Sequence, residues 1–142
     1  MYEIYLIMNK NQIIETFNKH FMEFIIDIER VFPNDNDIMS MRKSLSKSLL
    51  IMPKSLIRMF NDYFVAMYSS EIDEGNLNFF IENDYRTKHG YKPTDDVWIL
   101  DKIDILREPV RSMNESEKAN VIQYLKNLKK LSDLYNSIRK SK

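Results

Sequence analysis

The run from Gln12 to Pro33 constrains the fold of this chain more than any other stretch. At 100° per residue, Ile13, Phe17, Phe21, Phe24, Ile25, Ile28 and Val31 fall on one arc, and Glu15, Lys19, Glu23, Asp27 and Arg30 fall opposite. The pattern predicts an amphipathic helix of about six turns, roughly 30 Å long. Pro33 stops it. A helix of that length with one apolar face must bury that face against other helices or a sheet. A sheet is poorly supplied, because 142 residues contain only two glycines, Gly75 and Gly90, both near the middle of the chain. The expected fold is therefore all-α, a single compact bundle of five or six helices spanning residues 1–142.

Hydrophobic residues at 44% and charged residues at 30% suit one ordinary globular core at this length. The absence of cysteine excludes a disulfide framework, a thiolate nucleophile and cysteine-based metal sites, and fits a reducing compartment. Met1 to Met8 is apolar but carries Glu3, lacks a basic leader and is too short to span a bilayer, so neither a signal peptide nor a membrane anchor is expected. It reads as an N-terminal arm docked on its own core or exchanged with a neighbour.

Asn34 to Asp37 supply turn and N-cap side chains. A calcium loop beginning at Asp35 fails, because Ser40 and Ser46 occupy the positions that require Gly and Glu. Ile38, Met41, Leu45, Ser48, Leu49 and Met52 then repeat with a helical period, and Pro53 suits the first turn of a third helix. On that helix Leu56, Ile57, Met59, Phe60, Tyr63, Phe64, Met67 and Tyr68 spread over half the circumference, which predicts the central, most buried element. Glu71 to Asn83 reads as a short acidic helix interrupted near Gly75. Residues 85–94 lack an apolar period and are expected to be a loop. Thr94 suits the N-cap of a helix crowded with Val97, Trp98, Ile99, Leu100, Ile103, Ile105 and Leu106, which Pro109 should end or kink. Asn114 and Glu117 have capping-box spacing for a last helix whose apolar arc runs from Val121 to Ile138.

The chemistry-bearing motifs are absent. There is no GxGxxG, no GxxxxGK[ST] and no GxSxG, and the two histidines, His20 and His89, share no metal-ligand spacing. No catalytic residue, cofactor or metal is expected; His20 reads as a boundary histidine of the first helix. The Asn114-Glu115-Ser116 sequon has no accompanying secretory signal. Function is therefore expected on surfaces. Met22 and Ile26 lie off the main arc of their helix, one turn apart, and Trp98 and Ile105 share a side of theirs; these four are the candidate protein interface, for another protein or for self-association.

Charge is balanced overall but unevenly placed. Residues 71–109 hold ten acids against five bases, and residues 110–142 hold eight bases against three acids. Either these segments neutralise each other within the fold or the basic tail meets an anionic partner. In the second case Arg86, Lys88, Lys92, Lys126, Lys129, Lys130 and Lys140 are the candidate phosphate contacts of a nucleic-acid-associated factor.

Four segments taken together, FNKHFMEFIIDIERVFPNDNDI at 17–38, NFFIENDY at 78–85, ILDKIDILREPVRSM at 99–113 and YLKNLKKLSDLY at 124–135, resemble a family of short uncharacterised proteins of large nucleocytoplasmic DNA viruses, including algal and amoebal giant viruses. The resemblance spans most of the chain and implies no activity or catalytic residue. It implies a setting: host cytoplasm, viral factory or virion. The leading expectation is a non-enzymatic viral protein that binds a viral or host protein, in assembly or as an inhibitor of a host protein, without a membrane role.

Overall fold

The computed structural model describes residues 8–82 and 98–140, without the side chains of Trp98, Arg139 and Lys140. All regular structure among the described residues is helical. The expected loop at 85–94, the Thr94 cap, His89, Arg86, Lys88 and Lys92 lie outside them, as do residues 1–7 of the N-terminal arm. Met8, the last residue of that arm, packs against the core.

The first helix, α1 (Lys10–Val31), is held at its start by a capping box: the Asn9 side chain accepts from the Gln12 N–H, and the Gln12 side chain accepts from the Asn9 N–H, at 2.9 and 2.8 Å. Six of the seven arc positions are buried, and Ile14 joins them. Val31 does not follow its arc and is 36% exposed, because the helix ends there and the chain turns away at Phe32. Helix α2 (Asn36–Ile51) is N-capped by Asp35, whose carboxylate accepts from the Asp37 and Ile38 amides.

The third rod is not one α-helix. It begins as α3 (Ser55–Met59), widens into a π-helical segment (Phe60–Val65) and continues as α4 (Ala66–Glu74). Leu56, Phe60, Phe64, Tyr68 and Ile72, spaced by four, are all buried. In an unbroken α-helix that row would drift about 160° around the axis, since each step of four overshoots a turn by about 40°. The i→i+5 turn takes up most of the overshoot, and a kink at Tyr68 (φ −126°, ψ 22°) redirects the rest of the rod, so the row stays buried. This corrects the sequence-based arc at Met67, which α-helical spacing places inside and which is 52% exposed.

Gly75 closes α4 in the left-handed region, φ 75°, where a side chain would be strained. The interruption expected there is thus a C-cap, followed by α5 (Asn78–Glu82). Helix α6 (Trp98–Asp104) stops before Pro109, which does not end it. Pro109 lies instead in the first turn of α7 (Arg107–Arg111), where its missing N–H has no intrahelical partner to lose. The last helix, α8 (Glu115–Lys140), starts from the expected Asn114–Glu117 capping box, with bonds of 3.0 and 2.8 Å.

The most extensive helix pair is α1 against α8. The π segment and α4 pack on α8, and α3 and α2 both pack on α1. The third rod buries most of its apolar side chains and packs on α1, α6 and α8, while α8 packs on both α1 and the rod. Aromatic rings fill it: Phe17 meets Phe60 edge-on at 5.4 Å, and Phe60 stacks on Phe64 at 5.5 Å. One polar pair sits among them. The Ser132 hydroxyl, wholly enclosed, donates to Asn61 Oδ1 at 3.1 Å and so joins α8 to the π segment.

Candidate protein interface

Helix α2 buries Ile38, Met41 and Leu45 at helical spacing, and then the pattern inverts. The next position on that face is Ser48, whose hydroxyl turns back to the Ser44 carbonyl at 3.0 Å. Apolar residues instead occupy the outside of the last turn. Leu50 is 86% and Ile51 80% exposed, and Met52 follows as the C-cap. At 100° per residue, Leu50 lies roughly opposite the Met41–Leu45 stripe, so no repacking of this helix buries both.

The corner after α2 is fixed to α1. The Asn18 amide donates to the Pro53 carbonyl at 2.9 Å, which holds the turn between α2 and α3 over the middle of α1. Between the two helices runs an open groove of about 300 Å³, with Met22, Leu49, Leu50 and Pro53 as its apolar lining and Glu15, Asn18, Lys19 and Ser46 around them. Asn18 Oδ1 is buried there without a hydrogen-bond partner.

The sequence-based interface candidates distribute as follows. Met22 is half-buried, packs against the core and lines this groove. Ile26 is half-buried and lines a separate depression with Glu23, Asp27, Arg30 and Tyr124. Ile105 is half-buried against the core, and Trp98 opens α6 with its side chain outside the described residues. Met22 and Ile26 thus line different depressions. Leu50 and Ile51 were not among the four candidates, although the unbroken run Leu49 to Met52 was a usable signal, since one face of a surface helix does not accommodate four consecutive apolar residues.

Of the phosphate candidates, Lys126, Lys129 and Lys130 have described side chains, all on α8. Lys129 is taken up internally, 3.2 Å from Asp73 and 3.4 Å from Asp133. Burial alone would lower its pKa, but the hydrogen bonds and charges of these two carboxylates outweigh burial and raise it. The Asp73 contact is one direct link between the acidic middle and the basic tail. Lys126 lines a groove with Gly75, Leu77 and Ile122; Lys130 is exposed; the Lys140 side chain lies outside the described residues.

A smaller cavity of about 200 Å³ lies where α1 meets α8, between Phe24, Ile28, Met113 and Val121. Its polar edge is Tyr124, whose hydroxyl donates to Asp27, while Arg30 donates to the other Asp27 oxygen at 2.6 Å. Burial, then the bond to Asp27 and its charge, push the phenol up to about 12. The His20 ring packs on Tyr124 with centroids 5.0 Å apart, its Nδ1 3.7 Å from Glu23 and its Nε2 buried without a partner. Burial lowers its pKa more than Glu23 raises it. This network ties α1 to α8.

Among the described residues no group of three or more His, Asp or Glu side chains is placed to hold a metal ion, and no helix is long and apolar enough to cross a membrane.

No protein-family model, curated protein or solved structure matches this chain. Among the described residues, Leu50 and Ile51 at the corner of α1 and α2 are the most exposed large hydrophobic side chains.

Proposed function

We propose that this chain is a non-enzymatic viral interaction protein that binds another protein, in assembly or against a host target, through the α1–α2 corner. The observation behind it is the exposure of Leu50 and Ile51 side by side, next to an apolar-lined groove. Single exposed apolar residues are ordinary. A contiguous apolar patch beside a concavity is what protein interfaces use as their centre. Full burial of Leu50 and Ile51 would yield about 1.5 to 3 kcal/mol each, enough for a pair of anchor residues. The viral setting, in host cytoplasm, viral factory or virion, comes from the resemblance of the four segments quoted above.

The test is the double substitution Leu50→Asp, Ile51→Asp. It is cleaner than substituting Met22, which also packs on the core. A tagged chain is recovered from infected cells, and each candidate partner is purified and recombined with it. The expected result is a binary complex that forms with the native chain and is lost with the double variant. Helicity by circular dichroism and the urea midpoint should stay unchanged to within about 0.5 kcal/mol, as for other surface substitutions. A reconstituted complex that survives both aspartates would refute this reading.

A further inference from the structure

The exposed corner belongs to a stretch of one-sided charge. From Ile38 to Asn61 the chain contains no Asp or Glu, but it contains Arg42, Lys43, Lys47, Lys54 and Arg58. Arg42 is consumed by a salt bridge to Glu29 on α1, 2.6 Å from Nε to Oε1, and Arg58 is half-buried. Lys43, Lys47 and Lys54 are exposed, and so is Lys19 across the groove. At 100° per residue, Lys43 and Lys47 fall within about 60° of Leu50 on the outer face of α2. Apolar anchors and cations thus share a helix face about two turns long, with Glu15 the one acid lining the groove among the described residues.

We infer that this face is a docking site for an amphipathic helix of another protein, one whose apolar stripe is flanked by Asp or Glu. The inference rests on the interface reading above and narrows it to a partner class. A helix laid along α2 places apolar side chains on Leu50 and Ile51 and one into the groove at Met22 and Leu49. Its flanking carboxylates then meet the lysines, which sets orientation and speeds encounter. A second copy of this chain fits badly: a two-fold contact sets the same patch against itself, and Lys43, Lys47 and Lys54 would face their own equivalents. An anionic lipid surface also matches the lysines, but the apolar lining at Met22 and Leu49 lies in a groove, a concavity that a projecting side chain of a helix fills.

The experiment titrates the ¹⁵N-labelled full chain with two synthetic helical peptides that carry the same Leu stripe. One is flanked by Glu and the other by Lys. The Glu peptide is expected to shift the amide signals of Leu49 to Met52 and Met22, and to bind at least about tenfold more tightly than the Lys peptide at about 50 mM salt, with the gap closing at about 300 mM. The double charge reversal Lys47→Glu, Lys54→Glu should invert the preference. Equal affinity for both peptides, lost in the Leu50→Asp, Ile51→Asp variant, would overturn the acidic partner class while leaving the interface intact. Failure of both peptides to shift these signals would overturn both. Sedimentation with phosphatidylglycerol vesicles, or a dimer by light scattering, abolished in either case by Leu50→Asp, would overturn the inference in favour of lipid or of a second copy.

Discussion

Removing the Ser132 hydroxyl tests whether the buried polar pair is a fixed link between α8 and the π segment. Ser132 is wholly enclosed and Asn61 nearly so, and their bond of 3.1 Å crosses the core. Ser132→Ala leaves Asn61 Oδ1 buried and unpaired, at a cost of about 1 to 3 kcal/mol. The better helix propensity of alanine returns at most about 0.7 kcal/mol, so a loss near 1.5 kcal/mol is expected. Asn61→Ala orphans the hydroxyl and opens a small void, for a loss near 2 kcal/mol. In the double variant neither group is left unpaired, so its loss should fall short of the sum by about 1 kcal/mol. Urea unfolding of all four proteins, with a common slope against denaturant, measures this coupling. Losses that add to within about 0.3 kcal/mol would refute the bond as an energetic link.

Other outcomes follow from individual sites. Gly75→Ala should destabilise by about 1 kcal/mol in urea unfolding through backbone strain alone, since the added Cβ would sit at an ordinary 3.6 Å from Ile122 Cγ2; Gly75→Asn should cost less. His20 has a lowered folded-state pKa, so its contribution is complete above its unfolded value of 6.5 and is lost as pH falls from there through the folded value. The urea midpoint should therefore drop less on acidification in His20→Gln than in the native chain. Tyr124 has the opposite sign: its contribution is complete below pH 10.0 and fades as pH rises toward about 12, so Tyr124→Phe should flatten the alkaline loss of stability.

Where one periodic rule governed a whole element, it could be read directly. The α1 arc obeys a 3.6-residue period from Ile13 to Ile28, and burial follows it. Caps were legible for the same local reason, as at Asp35 and Asn114, because side chain and amide are neighbours in sequence. Met67 was misplaced because a π turn changes the period part-way along a helix, and only packing of the aromatic row decides where that happens. Pro109 was misjudged because a proline that breaks an old helix and one that opens a new helix look alike until the preceding chain is seen to stop at Asp104. At the candidate interface, Met22 was legible as an off-arc position, but its groove neighbours Leu49, Leu50 and Pro53 were not. The groove that includes it is made by the turn at Pro53, which Asn18 holds from 35 positions away. No local pattern encodes that bond.

The π segment also bears on which changes of length this chain can absorb. Its row of five core side chains covers sixteen positions in four steps, whereas a plain α-helix matches four steps best with fourteen or fifteen. The rod thus holds a surplus residue, and exposed Asp62 lies in the surplus turn. Excising Asp62 would let the π turn close as α-helix while Leu56, Phe60 and the three core residues beyond them stay aligned. An insertion at the same place has no such slack and would swing Tyr68 and Ile72 out of line. Shortening and lengthening are therefore unequal in the middle of this core.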